Sequence, residues 1–203
     1  MIISLSGRIG SGKDTVANII EQVSPSNNWQ IKKFAGKLKD IAELLTGIPK
    51  IHFEDQEFKK TSMAPEWNMT YRDFLQRIGT EAMRNGLHEN VWVNALFSDY
   101  KATTIAVGSN EFDITEKDVL PNWLITDTRF PNELEAVKQH NGITIKVIRD
   151  SGNTVGTLHS SETALDHYTN WDYVINNNGS IEDLKAQIFS ILEMENLIIY
   201  AGL

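Results

Sequence analysis

The chain contains no cysteine among its 203 residues, which excludes disulfides and thiolate metal sites and fits a reducing, cytoplasmic setting. No stretch approaches the roughly eighteen consecutive apolar residues of a membrane span, and no basic leader precedes the first apolar run, so neither a membrane partner nor export is expected. Basic residues are in the minority, 19 Lys and Arg against 27 Asp and Glu, giving a formal net charge of -8. That balance argues against a surface built to neutralise many nucleic-acid phosphates, while leaving room for a local basic pocket. Internal repeats, low-complexity tracts and long like-charge blocks are also missing, which argues against a solenoid or a disordered interaction protein. What is present is 41% hydrophobic residues, enough for one sizeable core and therefore a single domain, with or without insertions.

Ile2 to Leu5 is a short apolar run closed by Ser6 and Gly7, the pattern of a strand buried on both faces. Val16, Ile19, Ile20 and Val23 follow at i, i+3, i+4 and i+7, which predicts a helix lying on a sheet. Trp29 to Ala35 reads as a second strand, and Leu38, Ile41, Ala42 and Leu45 as the stripe of a second helix ended by Gly47. From Ile48 to Met69 the period fades; Tyr71 to Asn85 and Glu89 to Lys101 again read as helical, and 103–122 as a hairpin or an irregular excursion. The rhythm of strand and helix resumes with "WLITDTRF", "PNELEAVKQHNG", "ITIKVIRD" and "WDYVINNNGS". A last helix is predicted from the capping-box spacing of Ser180 and Asp183, with Ile181, Leu184, Ile188, Ile191 and Leu192 facing inward. Alternating strands and helices predict an α/β fold of three layers, a mainly parallel sheet with helices on both faces.

"GRIGSGKD" supplies G-x-x-x-x-G-K at Gly7, Gly12 and Lys13, between a predicted strand and a predicted helix as that motif requires. Glycines at 7, 10 and 12 let successive N–H groups point into one concavity, which suits phosphate oxygens, and Lys13 adds a reaching cation. Gly10, Ser11, Gly12, Lys13, Asp14 and Thr15 are thus candidate nucleotide-binding residues. Asp14 stands where a hydroxyl is usual, so a carboxylate there would act through metal-bound water, with Thr15 contributing the hydroxyl, or would simply favour the helix dipole.

The ordered series "SGKDT", "KFAGKLKD", "FLQRIGTE", "VWVNALF", "ITDTRFPNELEAV", "VIRD…LHSSETAL" and "YVINNNGSIEDLKAQI" resembles bacteriophage-type deoxynucleoside monophosphate kinases, members of the P-loop nucleoside monophosphate kinase class, over nearly the whole chain. The resemblance implies transfer of the ATP γ-phosphoryl group to a small-molecule deoxynucleoside 5′-monophosphate (dNMP), with Mg²⁺ as cofactor, in the host cytoplasm where the gene is phage-encoded. It also implies a core over roughly 1–47 and 123–203, an acceptor-binding helical insertion over 48–122 and a lid over 149–166. A homodimer is compatible with the sequence. Its nearest rivals are a P-loop kinase acting on dephospho-coenzyme A or phosphomevalonate, and a P-loop ATPase switch module.

Under the resemblance, Lys13, Arg72, Arg129 and Arg149 are the catalytic cations. Lys37, Arg72, Gln76, Gly79, Thr80, Trp92, Asp127, Arg129 and Glu133 bind the acceptor; Asn177 and Gly179 frame the adenine; Asp14, Thr15 and Asp127 address the metal. The plainer readings are a solvated Lys37, a close-contact Gly79, a core Trp92, a strand-end ion pair at Asp127 and Arg129, and an Asn-rich turn at 176–178. Gly152 and Gly156 in a polar, aperiodic stretch suit a lid, and His159 with Glu162 lacks a third metal ligand, which favours a hinge or a hydrogen bond.

Overall fold

β1 (Ile2–Ser6) is buried along its whole length, as an apolar run flanked by two neighbours in a parallel sheet must be. The computed structural model describes residues 1–63, 65–108, 115–150 and 160–198; Gly152, Gly156, His159 and the rest of 151–159, half of the expected lid, lie outside them. Two compact units divide the chain, Met1–Lys32 with Tyr100–Leu203, and Lys33–Asp99. The division thus falls after residues 32 and 99, whereas the sequence suggested boundaries after 47 and 122.

The first unit carries a five-stranded sheet in the order β2-β5-β1-β6-β7, with β2 at Gln30–Lys32, β5 at Trp123–Thr128, β6 at Ile143–Ile148 and β7 at Tyr173–Asn176. Every pairing is parallel, so the carboxyl ends of β1, β5 and β6 share one edge. Helices α1 (Lys13–Val23) and α8 (Ile181–Met194) cover one face, where Val16, Ile20, Leu184 and Ile188 pack with Ile3, Leu5 and Leu124. Helix α6 (Pro131–Gln139) lies on the other: its Val137 and the Ile2 of β1 both crowd the position where Gly142 would carry a Cβ. An antiparallel hairpin, β3 (Thr103–Val107) with β4 (Thr115–Val119), completes the unit's described strands and is exposed throughout.

The second unit is helical: α2 (Gly36–Thr46), a 3₁₀ turn (Lys50–Glu54), α3 (Gln56–Lys60), α4 (Tyr71–Gln76) and α5 (Val91–Phe97). From α4 the chain runs on as a π-helical segment, Arg77–Leu87. Ala42, Phe53, Met63 and Phe74 form its core, with the Phe58 and Tyr71 rings stacked at 4.6 Å against it.

Several local expectations change. The second strand is three residues long, because only Gln30 to Lys32 pair with β5. Leu45 is exposed while Lys39, one position off the expected stripe, is buried; Lys39 donates to Glu54, which draws it inward. Ile181 is exposed at the first position of α8, although Leu184, Ile188, Ile191 and Leu192 are buried. The Ser180 and Asp183 capping box forms in full.

Candidate active site

The loop leaving β1 places Gly7, Gly10 and Gly12 at φ of 148°, 79° and 96°. Gly7 has a second reason to lack a side chain: a Cβ there would stand 2.3 Å from the Val147 carbonyl oxygen. Gly12 occupies the N-cap of α1, and no side chain caps the helix, so the first-turn N–H groups face the loop with the positive end of the helix dipole. Lys13 curls back over the same loop, donating to the carbonyls of Gly7 (2.7 Å) and Arg8 (3.0 Å).

Burial pushes the Lys13 ammonium below the ordinary lysine range; the neighbouring Arg129 acts the same way, while Asp14, Glu162 and Asp127 oppose it. Those charges thus lie within electrostatic reach of one ammonium. Asp14 and Thr15 are exposed in the first turn of α1, and Asp127 is half-buried near the end of β5. Among the described residues no group of three His, Cys, Asp or Glu side chains could hold a metal alone. The donors at hand are carboxylate and hydroxyl oxygens, which suit Mg²⁺, an ion that takes one or two carboxylates and completes its shell with phosphate and water.

A cleft of about 320 Å³ opens at the carboxyl ends of the strands, the place where open α/β sheets take ligands. Arg8, Arg129, Lys146 and Arg149 line it together with Gly7, Ser11 and Thr128. Its floor is fastened by hydroxyls: Ser4 Oγ and Thr128 Oγ1 lie 2.6 Å apart, and Ser6 Oγ donates to the Thr128 carbonyl at 2.8 Å. Glu133, buried in α6, accepts from the backbone N–H of Arg129 (2.7 Å) and of Phe130 (3.1 Å). It therefore fixes the turn that carries Arg129; the sequence offers it as a residue that orients Arg129 or touches the deoxyribose. The guanidinium itself pairs with Glu162 at 2.5 Å.

Asn177 donates from Nδ2 to the Ser11 carbonyl (2.8 Å), tying the loop after β7 to the phosphate loop. The Gly179 position is closed by the capping carboxylate of Asp183, 2.6 Å from where a Cβ would sit. Next to Arg149, Asp150 and Asn178 exchange two hydrogen bonds, of 2.7 and 3.0 Å.

A family model described as deoxynucleotide monophosphate kinase matches residues 47–188. The chain belongs to this family. A protein of Acanthamoeba polyphaga mimivirus assigned by name to the same kinase is 30% identical over 95% of this chain and 96% of its own length. A deoxynucleoside-5′-monophosphate kinase of Escherichia phage T5 is 25% identical over 96% of this chain and 97% of its own. A shikimate kinase structure from Aquifex aeolicus aligns over 97% of this chain and 99% of its own at 13% identity with a TM-score of 0.49, a likeness too distant to bear on substrate.

The remaining family-derived residues lie in the Lys33–Asp99 unit. Lys37 is exposed and paired with Asp99 at 3.1 Å, and Arg72 donates to Gln56 at 2.9 Å. Gln76 and Thr80 are half-buried on either side of the point where α4 passes into the π-helical segment, and Gly79 is buried against Leu38. Trp92 is buried, its indole donating to the Gly79 carbonyl at 2.7 Å.

Sequence reasoning missed Arg8, Lys146, Asp166 and Trp171 as cleft residues. Lys146 was within reach of it. A lysine inside the run "ITIKVI" interrupts an otherwise mainly apolar strand, and a charge near a strand's carboxyl end is a ligand signal in this fold class.

Proposed function

We propose that the chain transfers the γ-phosphoryl group of ATP to the 5′-phosphate of a deoxynucleoside monophosphate, releasing ADP and the deoxynucleoside diphosphate. The observation that carries the reading is a strand, phosphate loop and helix in a chain of the deoxynucleotide monophosphate kinase family, with Arg8, Arg129, Lys146 and Arg149 around one cleft beside the loop.

The acceptor phosphate oxygen attacks the γ-phosphorus as the bond to the β-bridging oxygen breaks and ADP departs. That oxygen is already a competent nucleophile, so no general base is required; the protein's task is alignment and charge stabilisation. The N–H groups of Gly10 to Lys13 and the start of α1 would cradle the ATP phosphates. On binding, Lys13 exchanges its two carbonyl acceptors for β and γ oxygens. Arg129 and Arg149 would screen the two phosphates as they approach. Asp14, Thr15 and Asp127 are the residues to hold Mg²⁺, which when bound neutralises phosphate charge. Asn177 serves by seating the loop, in addition to its expected place near the adenine. Lys37, Arg72, Gln76, Gly79, Thr80 and Trp92 carry the proposed acceptor recognition.

ADP release, assayed with dGMP, dTMP, dCMP, dAMP and their ribose counterparts, tests the reading. Turnover that requires an acceptor and is lost in Lys13→Ala supports it; ATP hydrolysis indifferent to every monophosphate overturns it in favour of a switch.

A further inference from the structure

The cleft holds two acids as well as its cations, and both come from one short stretch. Helix α7 (Ser160–Thr163) and the turn after it carry Glu162 and Asp166. The turn is held by hydrogen bonds, Ala164 N–H donating to the Ser160 carbonyl and Asp166 N–H to the Thr163 carbonyl, and both acids line the cleft. Leu165, between them, is buried and anchors the stretch. Glu162 then meets Arg129 at 2.5 Å, and Asp166 meets Arg8 at 3.0 Å.

The two contacts differ in kind. The Glu162 side chain is only 12% exposed, against 35% for Asp166, so the first pair is held in a drier and less screened place. In each the carboxylate meets one guanidinium nitrogen, leaving the rest of the donor fork for another anion. Arg129 also lies in the field of Lys13. Two like charges beside one phosphate site repel each other before a phosphate arrives, and a carboxylate behind the guanidinium offsets that repulsion. It also fixes the direction of a side chain that otherwise has many rotamers.

We propose that Glu162 is a positioning residue for phosphoryl transfer, holding Arg129 with its free donors toward the transferring phosphate, and that Asp166 does the same, more weakly, for Arg8. The inference rests on the kinase reading above. Glu162 touches neither nucleotide; it acts through Arg129, and its effect should depend on that arginine and be indifferent to the acceptor's base.

The test is a double-mutant cycle on kcat/KM for dGMP, dTMP, dCMP and dAMP, with melting temperature as a control. Glu162→Gln keeps the shape and removes the charge. It should lower kcat/KM about tenfold or more, equally for each acceptor that turns over, since misdirected groups near a phosphoryl centre cost that much. In an Arg129→Ala background the same change should have less than about a twofold effect, because coupled residues are non-additive. Asp166→Asn should give about a threefold loss that disappears in Arg8→Ala, and it serves where Glu162→Gln does not fold. Equal losses in both backgrounds overturn the proposal, as does unchanged activity. A gain in kcat/KM also overturns it, because the acids would then be competing with phosphate for the arginines. Parent protein that phosphorylates none of the acceptors overturns the kinase reading itself, whereas an active parent with indifferent Glu162 variants overturns this inference alone.

Discussion

The cleft of the sheet unit and the helical unit differ in how far their cations are balanced. Around the phosphate loop, Arg8, Arg129, Lys146 and Arg149 gather on one cleft and exceed the acids that share it. In the Lys33–Asp99 unit cations answer to local acceptors: Lys33 and Lys39 to Glu54, Lys37 to Asp99, Lys50 to Asp40, Lys60 to Glu57, and Arg72 to Gln56. An excess of positive charge at a strand edge stores repulsion that an anion relieves, which marks a binding site; cations with local partners mark a folded scaffold whose contacts a ligand must displace. The same residue types at resemblance-matched positions therefore carry different weight in the two units.

Lys13→Ala should break the sheet unit's side of that contrast most sharply. Turnover should fall by about 10²- to 10³-fold, the usual loss on removing one charge-stabilising donor, with a melting temperature close to the parent's, because among the described residues Lys13 bonds only to carbonyls of its own loop. A loss of stability in place of activity would make Lys13 a scaffold lysine like those of the helical unit. Gly7→Ala comes next. The new methyl would meet the Val147 carbonyl at 2.3 Å, at a φ of 148° that only glycine adopts freely. A destabilisation of about 3 kcal/mol is expected in urea unfolding.

How much of this was legible in the sequence follows from how local each signal is. The phosphate loop, β5, α6 and the capped start of α8 are written in contiguous residues, through apolar runs, glycines at required φ values and the Ser180–Asp183 spacing. The π-helical stretch after Gln76 was not legible. Its residues read as an ordinary helix, and within it Gly79 packs against Leu38, far away in sequence. Lys39 was misplaced for a similar reason, since Glu54 lies 15 residues downstream. The cleft acids were hidden further: Glu162 meets Arg129 across 33 residues, and Asp166 meets Arg8 across 158. No period or spacing announces pairs of that separation.

The helical unit's charges make a pH prediction. Lys33 and Lys39 hold the Glu54 carboxyl at about 2, below its ordinary 4.5, against the opposing effect of burial. A folded-state value below the unfolded one means that this group's stabilisation is complete above about 4.5 and is lost as pH falls toward 2. Glu54→Gln should therefore flatten that part of the acid unfolding curve. At neutral pH it strands a Lys39 side chain that is 9% exposed, but Glu54 itself is 37% exposed. Screening at that carboxylate reduces the loss to about 2 kcal/mol. The cleft should keep its affinity for ATP in the folded variant, since none of these groups lines it.

Trp92 gives the smallest expected effect and separates scaffold from site most finely within the helical unit. Its indole donates to the Gly79 carbonyl at 2.7 Å in a buried setting, and Gly79 is in turn closed against Leu38, so the ring ties α5 to the π-helical segment. Trp92→Phe keeps an aromatic face but removes the donor and some volume, a loss of about 1–2 kcal/mol. If the ring's work is that tie alone, the variant melts lower while the acceptor KM stays within about twofold for every base, because no stacking energy has been lost. If the ring also lies against the acceptor base, KM must rise, and unequally for purines and pyrimidines, whose faces differ in area. Measuring KM for dGMP and dTMP on one preparation whose melting temperature is known decides between them, since a purely structural defect has no means of telling the two bases apart.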